Sequence, residues 1–150
     1  MSKETILVTG GAGYIGSHVV QYLLDRGESV VVIDNLSTGD IRSVAGKSAI
    51  LADICDINRI SEIFEAYKIE AVMHFAASSS VPESVVHPLK YYSNNTAATT
   101  ILMNLCSKYN VKHFIFSSTA AVYSNCISKD GVVSEYDPTN PRRLTAILSC

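Results

Sequence analysis

Glycines at positions 10, 13 and 16 lie between an apolar run at residues 6–8 and a stretch in which apolar residues recur at helical spacing. In such a strand-to-helix turn, Gly10 lets the chain leave the strand tightly and Gly16 lets the helix pack close to the sheet. Gly13 lets the backbone approach a ligand. Because free N–H groups and the helix dipole favour negative charge, the turn predicts a pyrophosphate site. The alternative is a glycine-rich turn that binds nothing.

An acid follows the next apolar run, residues 30–33, and this acid is Asp34. It lies about 20 residues beyond the glycines, where a ribose-binding carboxylate belongs in a dinucleotide site. A carboxylate accepts hydrogen bonds from both ribose hydroxyls and repels a 2′-phosphate. No arginine follows Asp34 directly, so the sequence favours NAD over NADP. The alternative role for Asp34 is to cap the loop DNLSTG.

Other polar residues follow later strands, and ligands bind beyond the carboxyl ends of parallel strands. Asp53 could accept a hydrogen bond from an adenine amino group or cap the next helix. Asn95 could be a buried amide facing a cofactor or a solvent-facing residue. Hydroxyls at Ser117 and Thr119 could bond a sugar or a catalytic phenol, or merely close a turn. His74, inside an apolar strand, is expected to be a packed core histidine.

The elements that must position these residues alternate between strand and helix, which predicts an α/β fold with a Rossmann-type, doubly wound parallel sheet. Gly27 is expected to end the first helix and Asp56 to cap the second. SSSVPES precedes one long helix, which is expected to begin near Pro88. The predicted strands cover residues 5–9, 29–33, 48–52, 71–76 and 111–117, and the predicted helices cover residues 14–25, 56–67 and 88–109.

Composition narrows the possible function classes. The 150 residues are 47% hydrophobic and 17% charged, which fits one globular domain. The net charge of −2 argues against a nucleic-acid surface. No apolar stretch is long enough for a bilayer and the N-terminus lacks a signal-peptide core, so a cytoplasmic location is expected. The four cysteines lack metal-ligand spacing, so no metal site is expected.

Beyond the glycine motif, several blocks of the sequence match one known family, in the same order along the chain. They are TGGAGYIGSH, VIDNLSTG, LADICD, HFAASSSVPESVVHPLKYYSNN and FIFSSTAAVYS. Together they resemble the N-terminal half of the UDP-glucose 4-epimerase family, which belongs to the extended short-chain dehydrogenases/reductases. The resemblance covers about residues 4–124.

This resemblance implies a tightly held NAD that is reduced and reoxidised within one turnover, a UDP-sugar substrate and a possible homodimer. In the family, a tyrosine takes the proton of the sugar 4-hydroxyl, and a lysine four residues later lowers the pKa of that tyrosine. Carried over by position, the pyrophosphate contacts are Tyr14 and Ile15. The adenosine contacts are Asp34, Asn35, Leu36, Ser37, Thr38, Gly39, Asp53 and Ile54. The residues lining the rest of the cofactor are Phe75, Ala76, Ala77, Ser78, Ser79, Asn95 and Ser117, and Thr119 would bond the substrate or the catalytic phenol.

The sequence departs from the family where the reaction would take place. After Asn140, Arg142 stands at the tyrosine position and Ala146 at the lysine position. We therefore expect an NAD-binding domain at residues 1–124, an irregular tail at 125–150, no substrate domain and a chain truncated after the fifth strand. Such a chain would be catalytically inactive, with an exposed edge on the fifth strand and poor solubility.

Two alternatives remain. The chain could be an NAD-binding module that functions without catalysis. It could instead belong to another class of nucleotide-sugar enzyme, such as a 4,6-dehydratase. The second alternative is disfavoured because Ala120 and Ala121 stand where that class has acids.

Overall fold

A computed structural model describes residues 3–123, 132–142 and 144–147 of the chain. Five strands form one parallel sheet in the order β3-β2-β1-β4-β5. The order runs outward from β1 in both directions, which confirms the predicted Rossmann-type, doubly wound parallel fold. The strands are β1 (Thr5–Thr9), β2 (Val30–Asp34), β3 (Ala49–Leu51), β4 (Ile69–His74) and β5 (His113–Phe116).

Helices alternate with the strands along the chain. They are α1 (Tyr14–Asp25), α2 (Ile57–Ala66), α3 (Val81–Val86), α4 (Pro88–Tyr91), α5 (Ala98–Lys108) and α6 (Leu144–Ile147). A π-helical segment, Tyr92–Ala97, lies between α4 and α5, and short 3₁₀ turns cover Ile41–Val44 and Ala120–Tyr123.

Alternation along the strands builds two cores, one on each face of the sheet. On β2, Val31 and Ile33 belong to the core that contains residues of α2 and α5. Val30 and Val32 belong to the core that contains Val20 of α1. Since both sheet faces are covered by helices, the carboxyl ends of the strands are left as the place where a ligand can enter.

The chain divides into two compact units. The first runs through residue 77 and continues over Ala97–Ser117, so it holds the whole sheet. The second comprises Ser78–Thr96 and the described residues from Ser118 onward. The expected domain boundary between residues 124 and 125 lies outside the described residues.

Two of the predicted helix ends are present. Gly27, at φ +78°, follows α1 and donates its N–H to the Leu24 carbonyl at 2.9 Å, while Glu28 donates to the Leu23 carbonyl at 3.1 Å. This pair of bonds is the Schellman motif, which favours glycine. Asp56 caps α2 by accepting the N–H of Arg59 at 3.1 Å.

The predicted start of the helical region near Pro88 is wrong, because α3 already begins in the second half of SSSVPES. Ser80 is the N-cap and its hydroxyl accepts the N–H of Glu83 at 3.4 Å. Proline in the first turn and an acid three residues after the cap are common start signals of a helix. The predicted long helix is likewise interrupted by the π-helical segment.

No helix in the described parts of the chain is both long enough and apolar enough to cross a membrane.

Candidate functional site

The glycine turn leaves β1 through a conformation that only glycine adopts easily. Gly10 has φ +70°, and its N–H donates to the Ile33 carbonyl at 2.8 Å. A Cβ on Gly10 would lie 2.6 Å from the Ala76 nitrogen, and one on Gly16 would overlap the Gly10 carbonyl oxygen. At Gly13 a Cβ would meet only that same oxygen, at 3.3 Å. Close packing therefore requires glycine at 10 and 16, whereas the backbone at 13 is open.

The N-terminus of α1 presents free donors next to this turn. The N–H groups of Tyr14, Ile15 and Gly16 have no hydrogen-bond partner among the described residues, and the Gly13 cap offers no side chain. The side chains of Tyr14 and Ile15 are 83% and 57% exposed. Free N–H groups at the positive end of a 12-residue helix form an anion site.

Asp34 links the glycine turn to the loop after β2. Its Oδ2 accepts the N–H of Ala12 at 2.9 Å, and its Oδ1 accepts the N–H of Leu36 at 2.8 Å. The second bond helps hold Leu36 at φ 57°, a backbone region that leucine rarely adopts. Each oxygen keeps a further lone pair, so the half-buried carboxylate can still accept hydrogen bonds from a ligand. The loop-capping role and the ligand-binding role of Asp34 are therefore compatible.

The same loop is joined to the end of β3. Asn35 accepts the N–H of Ser37 at 3.0 Å and donates its side-chain N–H to Asp53 at 2.9 Å. The N–H of Cys55 also bonds Asp53, at 2.8 Å, and these bonds lower the pKa of the Asp53 carboxyl. Since Asp56 caps α2, the helix-cap alternative for Asp53 is excluded. Thr38 is exposed, as is Ser37, while Gly39 is half-buried.

Ile54 contributes to the core rather than to the loop surface. Its side chain is 6% exposed and belongs to the core that α2 and α5 share. Any contact of Ile54 with an adenine ring would therefore involve its backbone.

Beside Asp34 lies a shallow, largely apolar cavity that sequence reasoning did not find. Ile41 and Leu51 line it and are 53% and 66% exposed. The cavity volume is only about 10 Å³, so this place offers a ligand an exposed aliphatic surface and does not enclose one. The available signal was Ile41, an isolated apolar residue after the polar loop. The full lining is Ala12, Asp34, Leu36, Ile41, Val44, Ala49, Ile50 and Leu51.

Small residues follow β4 at the edge of the glycine turn. Phe75 donates its N–H to the Thr9 carbonyl at 2.9 Å, which continues the β1–β4 pairing by one residue. Ala76 is half-buried and Ala77 is exposed. Ser117, after β5, donates its N–H to the His74 carbonyl at 3.1 Å. The first unit thus brings Gly10, Asp34, Asp53, Phe75 and Ser117 to the carboxyl ends of its strands.

The remaining predicted residues belong to the second unit. Asn95 is 6% exposed, which excludes the solvent-facing alternative. Its amide pairs with the backbone of Ser78: the Ser78 N–H donates at 2.8 Å, and the Ser78 carbonyl accepts at 2.9 Å. Ser79 is exposed. Thr119 accepts the N–H of Ala121 at 3.2 Å, so its hydroxyl closes a turn and is still half-buried.

The two positions that depart from the family differ in their surroundings. Arg142 is exposed, whereas Ala146 is fully buried within α6. Neither side chain supplies a phenol or an amine.

Two cysteines lie within the described residues, Cys55 and Cys106, and both are free. Desolvation raises the pKa of each thiol to about 11, and at the exposed Cys55 the neighbouring Asp53 carboxylate adds to the effect, so neither is a ready nucleophile. Cys126 and Cys150 lie outside the described residues. In the described part of the chain, no group of three or more side chains has a metal-binding arrangement.

Comparison with known proteins places this geometry in context. Residues 6–146 match the model of the NAD dependent epimerase/dehydratase family, so the match continues beyond residue 124. The UDP-glucose 4-epimerase of Lacticaseibacillus casei is 46% identical over 141 residues, covering 91% of this chain and 42% of that protein.

Solved structures give the same picture. The UDP-glucose 4-epimerase from Brucella ovis in complex with NAD is 40% identical, with a TM-score of 0.88 over 97% of this chain and 44% of that one. The Thermotoga maritima enzyme with UDP-glucose is 36% identical, with a TM-score of 0.88, over 97% of this chain and 47% of that one. The chain therefore spans less than half the length of each of these three proteins.

Proposed function

Because the chain belongs to the NAD dependent epimerase/dehydratase family, we propose that the carboxyl ends of β1, β2 and β4 bind NAD. The observation that carries this proposal is the position of Asp34. It ends β2, holds the glycine turn through Ala12 and keeps acceptor capacity on both oxygens. A ribose diol needs such an acceptor.

The residues around Asp34 fit the other parts of a dinucleotide. The free N–H groups at the start of α1 suit a pyrophosphate, and no side chain fills the space above Gly13. The exposed aliphatic side chains of Ile41 and Leu51 beside Asp34 would give an adenine ring an apolar surface to lie against, outside the small cavity itself. A 2′-phosphate would bring negative charge against the Asp34 carboxylate, so NAD is preferred over NADP.

We further propose that this chain does not turn over a substrate, although the longer relatives are named as epimerases. Bound NAD would supply a hydride acceptor. The proton of a sugar hydroxyl would still need a base at the position of Arg142, and a guanidinium cannot accept one near neutral pH. A buried Ala146 provides no cation beside that position. Thr119 retains a hydroxyl that could contact a sugar but has no phenol to act with.

A UDP-sugar is the substrate class that the relatives favour, since the Thermotoga maritima structure is titled as a complex with UDP-glucose. We therefore propose C4 epimerisation of UDP-glucose and UDP-galactose as the reaction to which the site of this chain is related, since relatives such as the Lacticaseibacillus casei protein are named UDP-glucose 4-epimerase. A cytoplasmic location remains a prediction from the sequence, and a homodimer remains a prediction from the resemblance.

Calorimetric titration of the chain with NAD and with NADP tests the binding proposal. We expect saturable binding of NAD and at least tenfold weaker binding of NADP, about 1.4 kcal/mol. Asp34→Ser should weaken NAD binding. The matched control is Asp25→Asn, which replaces an exposed acid on α1 whose partner is Gln21. Failure of NAD to bind the folded chain would refute the proposal.

Conversion of UDP-galactose, followed in a coupled assay with the Lacticaseibacillus casei enzyme as positive control, tests the second proposal. We expect no activity above background from this chain with saturating NAD. Measurable turnover that disappears with Asp34→Ser would show that Arg142 does not abolish the chemistry.

A further inference from the structure

A buried chain of hydrogen bonds connects the end of β1 to the start of α5. His74, the last residue of β4, is 2% exposed. Its Nδ1 lies 2.6 Å from the Thr9 hydroxyl and its Nε2 lies 2.8 Å from the Thr99 hydroxyl. The rings of Phe114 and Phe116 lie 6.0 Å and 5.8 Å from the imidazole, so apolar groups flank the polar chain.

The direction of these bonds follows from Thr9. Its side chain is completely buried, and its hydroxyl has the His74 ring as its hydrogen-bond partner among the described residues. A buried hydroxyl proton without an acceptor is costly, whereas an unused lone pair on the same oxygen costs less. Thr9 therefore donates to Nδ1. A neutral imidazole with an accepting Nδ1 carries its proton on Nε2, which donates to Thr99.

Thr99 can take this role because its hydroxyl oxygen has lone pairs that accept a hydrogen bond from Nε2–H. Protonating Nδ1 would turn an acceptor into a donor and leave the Thr9 proton without a partner. Burial without a charged neighbour lowers the pKa of His74 to about 4, which agrees with a neutral ring.

Thr9 immediately precedes Gly10, so whatever fixes Thr9 also fixes the start of the glycine turn. The Thr9 carbonyl accepts the N–H of Phe75, and Gly10 packs against Ala76. The imidazole of His74, at the end of β4, bonds Thr9 at the end of β1. This bond therefore joins the two strands where the glycine turn begins. No ligand is needed for this arrangement, since all of its bonds are internal.

We propose that His74, locked as the Nε2–H tautomer between Thr9 and Thr99, is a positioning residue for the glycine turn and thereby for dinucleotide binding. The effect on binding rests on the proposed function, whereas the locked tautomer and the ordering of the turn do not. The nearest comparison within the molecule is Thr5, at the other end of β1. It is also buried, at 4% exposure, and its hydroxyl donates to the Lys3 carbonyl at 3.2 Å and pairs with Ser29 at 3.1 Å.

The tautomer is tested directly by two-bond ¹H–¹⁵N spectra of the histidine-labelled chain at pH 7, with His74→Asn to assign the signal. We expect the Nε2–H pattern for His74. An Nδ1–H pattern or an imidazolium at this pH would overturn the proposal.

Positioning is tested by comparing Thr9→Val with Thr5→Val, since each removes one buried hydroxyl from β1. In the chain without nucleotide, Thr9→Val should speed amide hydrogen exchange at Ala12 and Gly13, and Thr5→Val should not. Thr9→Ser should restore slow exchange. Equal exchange in the two valine variants would refute a role specific to the turn.

The same variants are then titrated with NAD. We expect the Kd to rise about tenfold for Thr9→Val and to stay within about twofold of the unsubstituted chain for Thr5→Val and Thr9→Ser. If the unsubstituted chain binds no NAD, the proposed function fails while the spectra and the exchange rates still decide the role of His74. If it binds and Thr9→Val binds equally well, the positioning role fails alone.

Discussion

The amide of Asn95 and the backbone of Ser78 form a reciprocal pair of hydrogen bonds, at 2.8 Å and 2.9 Å. This pair resembles one rung of a sheet, but a buried side chain on the π-helical segment replaces one strand. A π-helical segment interrupts a regular α-helix and is often found at functional sites. Here Asn95, which lies on that segment, fixes Ser78, the first residue of the second unit.

Replacing Asn95 by alanine should therefore destabilise the protein by about 2–3 kcal/mol, because the Ser78 N–H and carbonyl lose their buried partners. Asn94→Ala is the matched control, since Asn94 is half-buried and its amide donates to the Asn95 side-chain oxygen at 2.9 Å. Its expected cost is below about 1 kcal/mol. Urea unfolding measures both, and similar values for the two variants would contradict the importance of the Asn95–Ser78 pair.

Substituting Gly10 and Gly27 by alanine should separate two contributions to the loss of stability, backbone strain and steric crowding. Both have positive φ, at +70° and +78°, but a Cβ on Gly27 meets nothing within 4 Å. Gly27→Ala should cost about 1 kcal/mol from conformation alone. Gly10→Ala adds contact with the Ala76 backbone and should cost about 3 kcal/mol or more. Equal losses in thermal or urea unfolding would mean that the sheet yields to the added methyl group.

His74 makes stability depend on pH in a defined window. Its pKa is about 4 when folded and 6.5 in the reference state, so the unfolded chain binds more protons between these values. Stability should therefore fall as the pH is lowered from 6.5 towards 4, by up to about 3 kcal/mol. Ion pairs with Lys68 and Arg42 lower the pKa of Glu4 and Asp40 to about 2, so their contribution is lost only below about pH 4.5.

The measurement is the free energy of unfolding from urea curves between pH 7 and pH 5. His74→Gln should flatten the dependence in this range whatever it does to the absolute stability. His113→Gln, which replaces an exposed histidine in β5, should retain it. A slope unaffected by His74→Gln would show that another group is responsible.

The edge strand β5 should govern self-association of the chain. Within the described residues β5 pairs only with β4, and Ile115 and Phe116 are 48% and 39% exposed. Ile115→Lys should reduce aggregation in light scattering at fixed protein concentration, because an edge lysine opposes strand pairing. Met103→Lys on α5, where Met103 is 53% exposed, is the control for added charge alone. Equal improvement by both would point to net charge instead of the strand edge.

The sheet was predictable because its strands are apolar runs that alternate with helical spacing, as in residues 6–8 and the stretch after Ile15. The caps at Asp56 and Gly27 could be predicted from residue type alone, because aspartate favours the start of a helix and glycine favours its end. The start of α3 was missed, although Ser80, Pro82 and Glu83 are recognisable signals.

The site was predictable only in part. Asp34 and the glycine turn follow from spacing, since both end or begin a regular element. The cavity beside Asp34 depends on Ile41 and Leu51, which come from separate loops and strands that no local pattern links. The connection of His74 to Thr9 and Thr99 likewise joins residues 65 and 25 positions apart. Only the folded chain brings such residues together.

Asp34 gives the protein little freedom to change its nucleotide. The carboxylate that should discriminate against a 2′-phosphate is also the acceptor for two backbone N–H groups, those of Ala12 and Leu36. Substituting this acid to admit a phosphorylated ribose would release both segments at once. A change of preference from NAD to NADP would therefore also require a new hydrogen-bond acceptor for the two backbone segments. A single substitution of Asp34 should weaken the binding of both NAD and NADP.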